Sequence, residues 1–313
     1  MTKSMLQVYS NDLSRLSLYA QGDEIATVMW KDKWPNWERV FSYSLDQKQY
    51  IIDINNPVLV TDYSIMYAIP YYLTRETVFM LYSKPIRVTE YDWYNMYFEQ
   101  RNYLGVWWPS IDTIFFCRAL RTYDLSSVKT IAEIGSGPWF IARYLWHKNP
   151  HIQHIYFNDI NPKAQQYYND FKPEWYQSSF VLWDWTKFLE QQKVDMVVCN
   201  PPYIPRPQSI DDNPYEWLSL VQWLISHMWE YLTPGGKLFL NISSLARKQF
   251  DLFVSTAWVK VKLLDTMHVP LKVFTVLHNA DRMHYLKEEC GLEDAFHDWH
   301  QRWHTLELYE ISI

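Results

Sequence analysis

Thr130-Ile131-Ala132-Glu133-Ile134-Gly135-Ser136-Gly137-Pro138-Trp139 is the stretch on which the architecture of this chain turns. A run of strand character enters two glycines and a proline, and a helical pattern follows over about residues 138–148. A strand, a glycine turn and a helix N-terminus bring backbone N–H groups close to a ligand and favour negative charge there. Two glycines in such a turn also occur for backbone reasons alone. What surrounds the stretch therefore carries the reading.

Downstream, strand and helix patterns alternate. Gln153–Phe157 is the second strand, with a helix over Lys163–Asp170. Ser179–Leu182 is the third strand and Asp195–Cys199 the fourth. A helix near Tyr215–Leu232 stops at Thr233-Pro234-Gly235-Gly236. Lys237–Ile242 is the fifth strand, Ala246–Ala257 a helix and Val259–Met267 the sixth strand. This alternation predicts an α/β fold, a mostly parallel sheet with helices on both faces. Thr305–Ile311 alternates like a last strand, pairing antiparallel at the sheet edge, and the polar insertion at about 279–304 reads as helical.

Upstream the pattern differs. Ile25–Trp30, Arg39–Ser44 and Tyr50–Ile54 read as short strands between turn residues. Tyr63 and Tyr67, and then Tyr91, Tyr94 and Phe98, fall at helical spacings. The expected organisation is a smaller N-terminal α+β domain, an accessory element or lid over residues 1–105, followed by a ligand-binding catalytic domain over 106–313.

Composition narrows the function classes. With 48% hydrophobic residues among 313, a sizeable core is expected rather than disorder. The formal charge of −6 and the lack of a Lys/Arg cluster argue for a small-molecule or protein substrate and against nucleic acid. Three scattered cysteines in no CxxC pair imply neither a disulfide framework nor a cysteine zinc site, and a reducing cytoplasm is the expected compartment. No signal-peptide pattern and no apolar run long enough to span a bilayer is read, so no membrane partner is expected. Aromatics reach 18%, with 17 Trp and 24 Tyr. They fill cores, and their ring faces also attract cations.

Candidate site residues cluster at strand ends. Asp159 follows strand two, about 20 residues past the glycine turn, where an acidic side chain accepts ribose hydroxyls. The same residue can cap the helix that begins at Asn161-Pro162. Asp184 follows strand three, where a carboxylate reaches an adenine amino group or caps the next helix. Asn200-Pro201-Pro202-Tyr203 closes strand four. There the Asn200 amide oxygen and the Pro201 carbonyl can both accept from one NH2 group, proline cannot donate, and Tyr203 offers a ring face. His297, His300 and His304 would share a helix face, read as solvated rather than metal-ligating. Cys199 lies inside a buried-looking strand, so no covalent nucleophile is expected.

These residues together resemble the Rossmann-like class I S-adenosylmethionine (SAM)-dependent methyltransferases that carry an Asn-Pro-Pro-Tyr motif, and most of all the release-factor glutamine N-methyltransferases. Trp108-Pro109-Ser110-Ile111-Asp112-Thr113 stands where that family has a proline-rich motif before its first strand, and Asp184-Trp185 and Leu232-Thr233-Pro234-Gly235-Gly236 match further landmarks. The resemblance spans about residues 106–270. It implies a seven-stranded sheet and SAM as cofactor. Glu133, Gly135 and Gly137 would lie on its methionine and ribose side, Asp159 on the ribose, Asp184 with Trp185 on the adenine, and Asn200 with Pro201 on the attacking nitrogen. Trp139 takes the place of the family's third glycine, beside the cofactor turn. Three chemistries stay open: N-methylation of an amine or amide, cyclisation of SAM to azetidine-2-carboxylate and methylthioadenosine inside an aromatic cage that includes Trp139, and N-methylation of nucleic acid.

Overall fold

The structure is a computed structural model. It describes residues 7–12, 15–20, 23–34, 38–45, 48–53, 86–92 and 94–99, and those from 102 onward except 104, 108, 110, 173–175, 183–192, 206–217, 272–279 and 298–299. By contact the chain divides into two units, Met1–Asn102 with Phe296–His300, and Tyr103–Ala295 with Gln301–Ile313.

Among the described residues the first unit contains antiparallel strands. β1 (Gln7–Asp12), β2 (Arg15–Ala20), β3 (Asp23–Trp34), β4 (Glu38–Leu45) and β5 (Lys48–Asp53) form a five-stranded meander in sequence order. β6 (Ile86–Tyr91) and β7 (Tyr94–Glu99) form a hairpin in which Tyr91 pairs with Tyr94. The expected helix through Tyr91, Tyr94 and Phe98 is thus corrected to two strands. Asp92 at φ 49° supplies the left-handed residue of a tight hairpin turn, and a turn there breaks the helical period. Tyr63 and Tyr67 lie outside the described residues.

The second unit carries the α/β fold. Helix α1 (Ile111–Leu120) precedes β8 (Thr130–Ile134), α2 (Phe140–Lys148), β9 (His154–Asp159), α3 (Pro162–Phe171) and β10 (Gln177–Leu182). Then come β11 (Val194–Cys199), α4 (Ser219–Ser226), α5 (Met228–Tyr231), β12 (Leu232–Ser243), α6 (Arg247–Ala257) and β13 (Lys260–Pro270). α7 (Ala280–Glu288), β14 (Glu293–His297) and β15 (His300–Ser312) complete the order of elements, with Phe296, His297 and His300 counted in the first unit. The sheet runs β10-β9-β8-β11-β12-β15-β13, with β14 paired to β15. β8 through β12 are parallel, whereas β15 is antiparallel to both neighbours. Successive crossovers move one way from β8 to β10 and the other way from β11 to β13. Right-handed connections in opposite directions put helices on opposite faces. Both faces are covered, and β11 accordingly reads as a continuous apolar run in which only Asp195 is partly exposed.

Three boundaries differ from expectation. The helix before β12 is two pieces, separated at His227, whose N–H bonds the Trp223 carbonyl and whose backbone leaves the helical region. Thr233–Gly236 is drawn into β12 as a bulge: Val194 pairs with Leu232 and the ladder resumes at Met196–Lys237. The final strand is internal, between β12 and β13, rather than at the edge. It pairs along both of its edges, and its Leu306, Leu308 and Ile311 are fully buried.

Candidate functional site

In this strand order the sheet reverses direction between β8 and β11, and ligands of open α/β sheets bind at the carboxyl ends on either side of such a point. The glycine turn leaves β8 there, and Asn200-Pro201-Pro202-Tyr203 leaves β11 beside it.

The glycine wall is fastened through main chain. Ser136 N–H donates to the Asn158 carbonyl at 2.8 Å, and Gly137 N–H donates to Asp159 Oδ2 at 2.8 Å. Gly135 has φ +65° with open space where a Cβ would stand. Gly137 has φ +49°, and a Cβ there would come within 2.8 Å of the Trp107 carbonyl oxygen, so the segment before α1 crosses directly over the turn. Trp107 itself is 69% exposed.

Two acids support this wall. Glu133 lies buried beneath it and accepts from Ala142 N–H in the first turns of α2 at 2.9 Å. Burial pushes its carboxyl from 4.5 up to about 8, against the pull of the Ala142 and Ile141 N–H groups and with the Asp159 charge adding to the rise. Glu133 therefore holds the helix to the turn from inside. Asp159 also accepts from Asn161 N–H at 2.9 Å, and burial raises its pKa against those hydrogen bonds. It is not the cap of α3, because Asn161 holds that place through its Oδ1, which accepts from Lys163 N–H.

Trp139 corrects the cage expectation. It occupies the left-handed region at φ 57° as N-cap of α2, which explains why glycine suits that place. Its ring is 0% exposed among Phe157, Tyr167 and Tyr168, with the Arg143 guanidinium 4.5 Å above it. A ring packed in the core cannot wall a ligand site. Asp184 and Trp185 lie outside the described residues.

The other wall is made of side chains. Asn200 Nδ2 donates to Asp112 Oδ2 at 3.2 Å, and the Tyr203 hydroxyl donates to the same oxygen at 2.9 Å. Asn200 Oδ1 accepts from Asn241 Nδ2 at 2.8 Å. Asn241 is 0% exposed on β12, and among the described residues its own Oδ1 has no partner. Arg282 of α7 donates to the Ile204 carbonyl at 2.8 Å, while Ile204 packs on the cluster of Leu245, Leu271, Met283, Leu286 and Leu292. His304 is buried on β15 and shares a hydrogen bond with Ser243 Oγ at 2.9 Å. The helix face expected for the three histidines is thus corrected to two strands, with His297 on β14, His300 and His304 on β15, and His304 buried rather than solvated; no cluster of three metal-ligating side chains occurs among the described residues. Cys199 is buried with its thiol pKa raised, unsuited to a nucleophile.

Sequence reasoning placed Glu133, Gly135, Gly137, Asp159, Asn200, Pro201 and Tyr203 at these strand ends. It missed Asn241 and Arg282, read His304 as part of a solvated helix face, and gave Asp112 no role. Asn241 left a legible signal: an amide inside the apolar run Leu238-Phe239-Leu240-Asn241-Ile242 is costly without a partner. Asp112 left none, since its partners lie about ninety residues away.

Residues 112–257 match the family model described as methyltransferase small domain. Among solved structures, the chain is similar to precorrin-6y C5,15-methyltransferase from Geobacter metallireducens at 11% identity and TM-score 0.41, covering 66% of this chain and 90% of that one. The M. jannaschii tRNA m1G37 methyltransferase shows 12% identity and TM-score 0.44, over 74% and 58%. The N-methyltransferase NodS from Bradyrhizobium japonicum shows 15% and 0.37, over 63% and 85%. Curated protein sequences give no match. The second unit has the Rossmann-like class I methyltransferase fold. Residues 112–257 thus match a methyltransferase domain, and SAM is the cofactor that this fold implies.

The residues present fit that cofactor. The space over Gly135 is open, and Ser136 Oγ is buried with no partner among the described residues. The Asp159 carboxylate, which has about four acceptor positions, takes the Gly137, Ile160 and Asn161 N–H groups and keeps one position for a ligand. Gly135, Ser136 and Asp159 would hold it, with Asn200 at its reactive end.

Proposed function

We propose that this domain transfers the methyl group of SAM to a nitrogen atom, of an amine or amide on a small molecule or protein. The observation that carries the reading is the pairing of the glycine turn at the end of β8 with Asn200-Pro201 at the end of β11. SAM, when bound, supplies a methyl group activated by its sulfonium. The chain's own part is positioning. Asn200 Oδ1 accepts one N–H of the acceptor and the Pro201 carbonyl a second, so the nitrogen lone pair faces the cofactor side. Orientation of this kind is worth up to about 7–11 kcal/mol in well-held cases. Asn241 Oδ1, with no donor among the described residues, adds a further acceptor to that end of the site. The formal charge of −6 supports a small molecule or protein over a polyanionic acceptor.

The cyclisation reading drew on Trp139 as part of an aromatic cage. With that ring in the core, no observation among the described residues favours it. The test is incubation of the purified protein with SAM, first alone and then with glutamine, a glutamine-containing peptide and primary amines, followed by product masses. S-adenosylhomocysteine together with an N-methylated product is the expected outcome. Methylthioadenosine and azetidine-2-carboxylate from SAM alone would overturn methyl transfer, and an O-methyl product would overturn the nitrogen assignment.

A further inference from the structure

Asp112 stands in the first turn of α1, 6% exposed, and one of its carboxylate oxygens receives both the Asn200 amide and the Tyr203 hydroxyl. Two side chains of one short segment converge on a carboxylate that precedes β8 in the chain. A carboxamide is nearly symmetric in shape, so packing alone does not decide whether its oxygen or its nitrogen faces a neighbour. A carboxylate only accepts. It therefore takes Nδ2 and turns Oδ1 to the opposite side, where Asn241 Nδ2 meets it at 2.8 Å. That oxygen has a second lone pair, available to an incoming N–H donor.

We propose that Asp112 is a positioning residue that fixes the orientation of the Asn200 carboxamide, and so makes Asn200 an acceptor at the reactive end of the site. The Tyr203 hydroxyl, held on the same oxygen, keeps the Asn-Pro-Pro-Tyr segment at a set distance from α1. Charge adds to geometry: a hydrogen bond to an ionised acceptor is about twice as strong as a neutral one. Replacing Asp112 by Asn keeps the shape and removes the rule that decides the flip. The consequence for turnover rests on the nitrogen-directed reading above, whereas the orientation itself does not.

The experiment is NMR of the full chain carrying asparagine labelled with the NMR-active nitrogen isotope, with the Asn200 side-chain signals assigned by their loss in Asn200→Asp. Slowly exchanging Asn200 amide protons are expected in the wild type. In Asp112→Asn their exchange should accelerate by about tenfold, the loss of one hydrogen bond to a charged group. Turnover of SAM should fall by about 30-fold while SAM affinity by calorimetry stays within about threefold, a split that a merely structural residue would not give. Equal exchange in wild type and Asp112→Asn would overturn the proposal, and so would full turnover in the variant. If Asp112→Asn lowers the melting temperature strongly, Tyr203→Phe takes over: it removes the competing hydroxyl donor from the Asp112 oxygen that holds Asn200 and should slow amide exchange or leave it unchanged, and faster exchange would overturn the assignment. Methyl transfer to oxygen with the amide signature intact would sink the nitrogen reading and leave Asp112 in its role.

Discussion

The two walls of the site differ in material. After β8 the wall is main chain: the Ser136 and Gly137 N–H groups are pinned to β9, and Gly135 has no Cβ above it. After β11 the wall is side chain, a run of hydrogen bonds from Tyr203 through Asp112 and Asn200 to Asn241 that joins α1, β11 and β12. A main-chain wall is local, set by a few consecutive residues and tolerant of what lies elsewhere. A side-chain wall draws its members from distant parts of the chain and depends on each of them. In the function proposed above, cofactor holding would fall to the first, and orientation of the reacting nitrogen to the second.

The largest expected effect tests the side-chain wall. Asn200→Ala should lower turnover by about 10²–10³-fold, comparable to removing one preorganised polar group at a reacting centre, while SAM binding stays nearly unchanged by calorimetry. A loss confined to SAM affinity would erase the division of labour between the walls.

Glu133 tests how the main-chain wall is supported. Its folded pKa, about 8, lies above the ordinary 4.5, so folding favours the protonated acid. The resulting stability is complete below pH 4.5 and is lost as pH rises through 8. Glu133→Gln, which mimics the neutral acid, should remove that dependence, a difference on the order of 3 kcal/mol between pH 5 and pH 8.5. Denaturant titrations at the two pH values measure it; parallel behaviour of wild type and variant would show that Glu133 stays ionised.

The glycines set the two smallest effects against each other. Gly137→Ala directs a Cβ at the Trp107 carbonyl, a backbone atom that must move, and should cost about 2–3 kcal/mol of stability with weaker SAM binding. Gly135→Ala meets open space and should cost only the left-handed backbone term, about 1 kcal/mol, in the cofactor-free protein. Its Cβ would enter the cofactor's side of the turn, so SAM affinity should fall by more than stability does. Equal stability losses at the two positions would mean that the crossing of the Trp107 segment does not constrain the turn.

Legibility in the sequence followed the same division. The glycine turn was readable because its function lies in consecutive residues, and the strand–helix alternation around it was readable because each parallel strand is buried on both faces. Asn200-Pro201-Pro202-Tyr203 was readable as a motif, but its supports were not. The stripe of Tyr91, Tyr94 and Phe98 misled, since aromatic spacing over eight residues fits a helix face until a left-handed turn residue at Asp92 folds it into a hairpin. Trp139 misled differently. Its place beside the turn was right, yet the left-handed backbone at that residue sends the ring away from the site and into the core.

By itself the sequence determined the α/β order, the residues that meet at the ends of β8, β9 and β11, and the class of fold. Periodicity, glycine placement and short motifs are properties of neighbours in the chain. Only the tertiary structure decided that β15 lies inside the sheet, that Trp139 fills the core, and that Asp112 and Asn241 flank Asn200. Burial and partner choice for those side chains depend on elements far apart in sequence, and a hydrogen bond between positions 112 and 200 exists only once the sheet has brought them together.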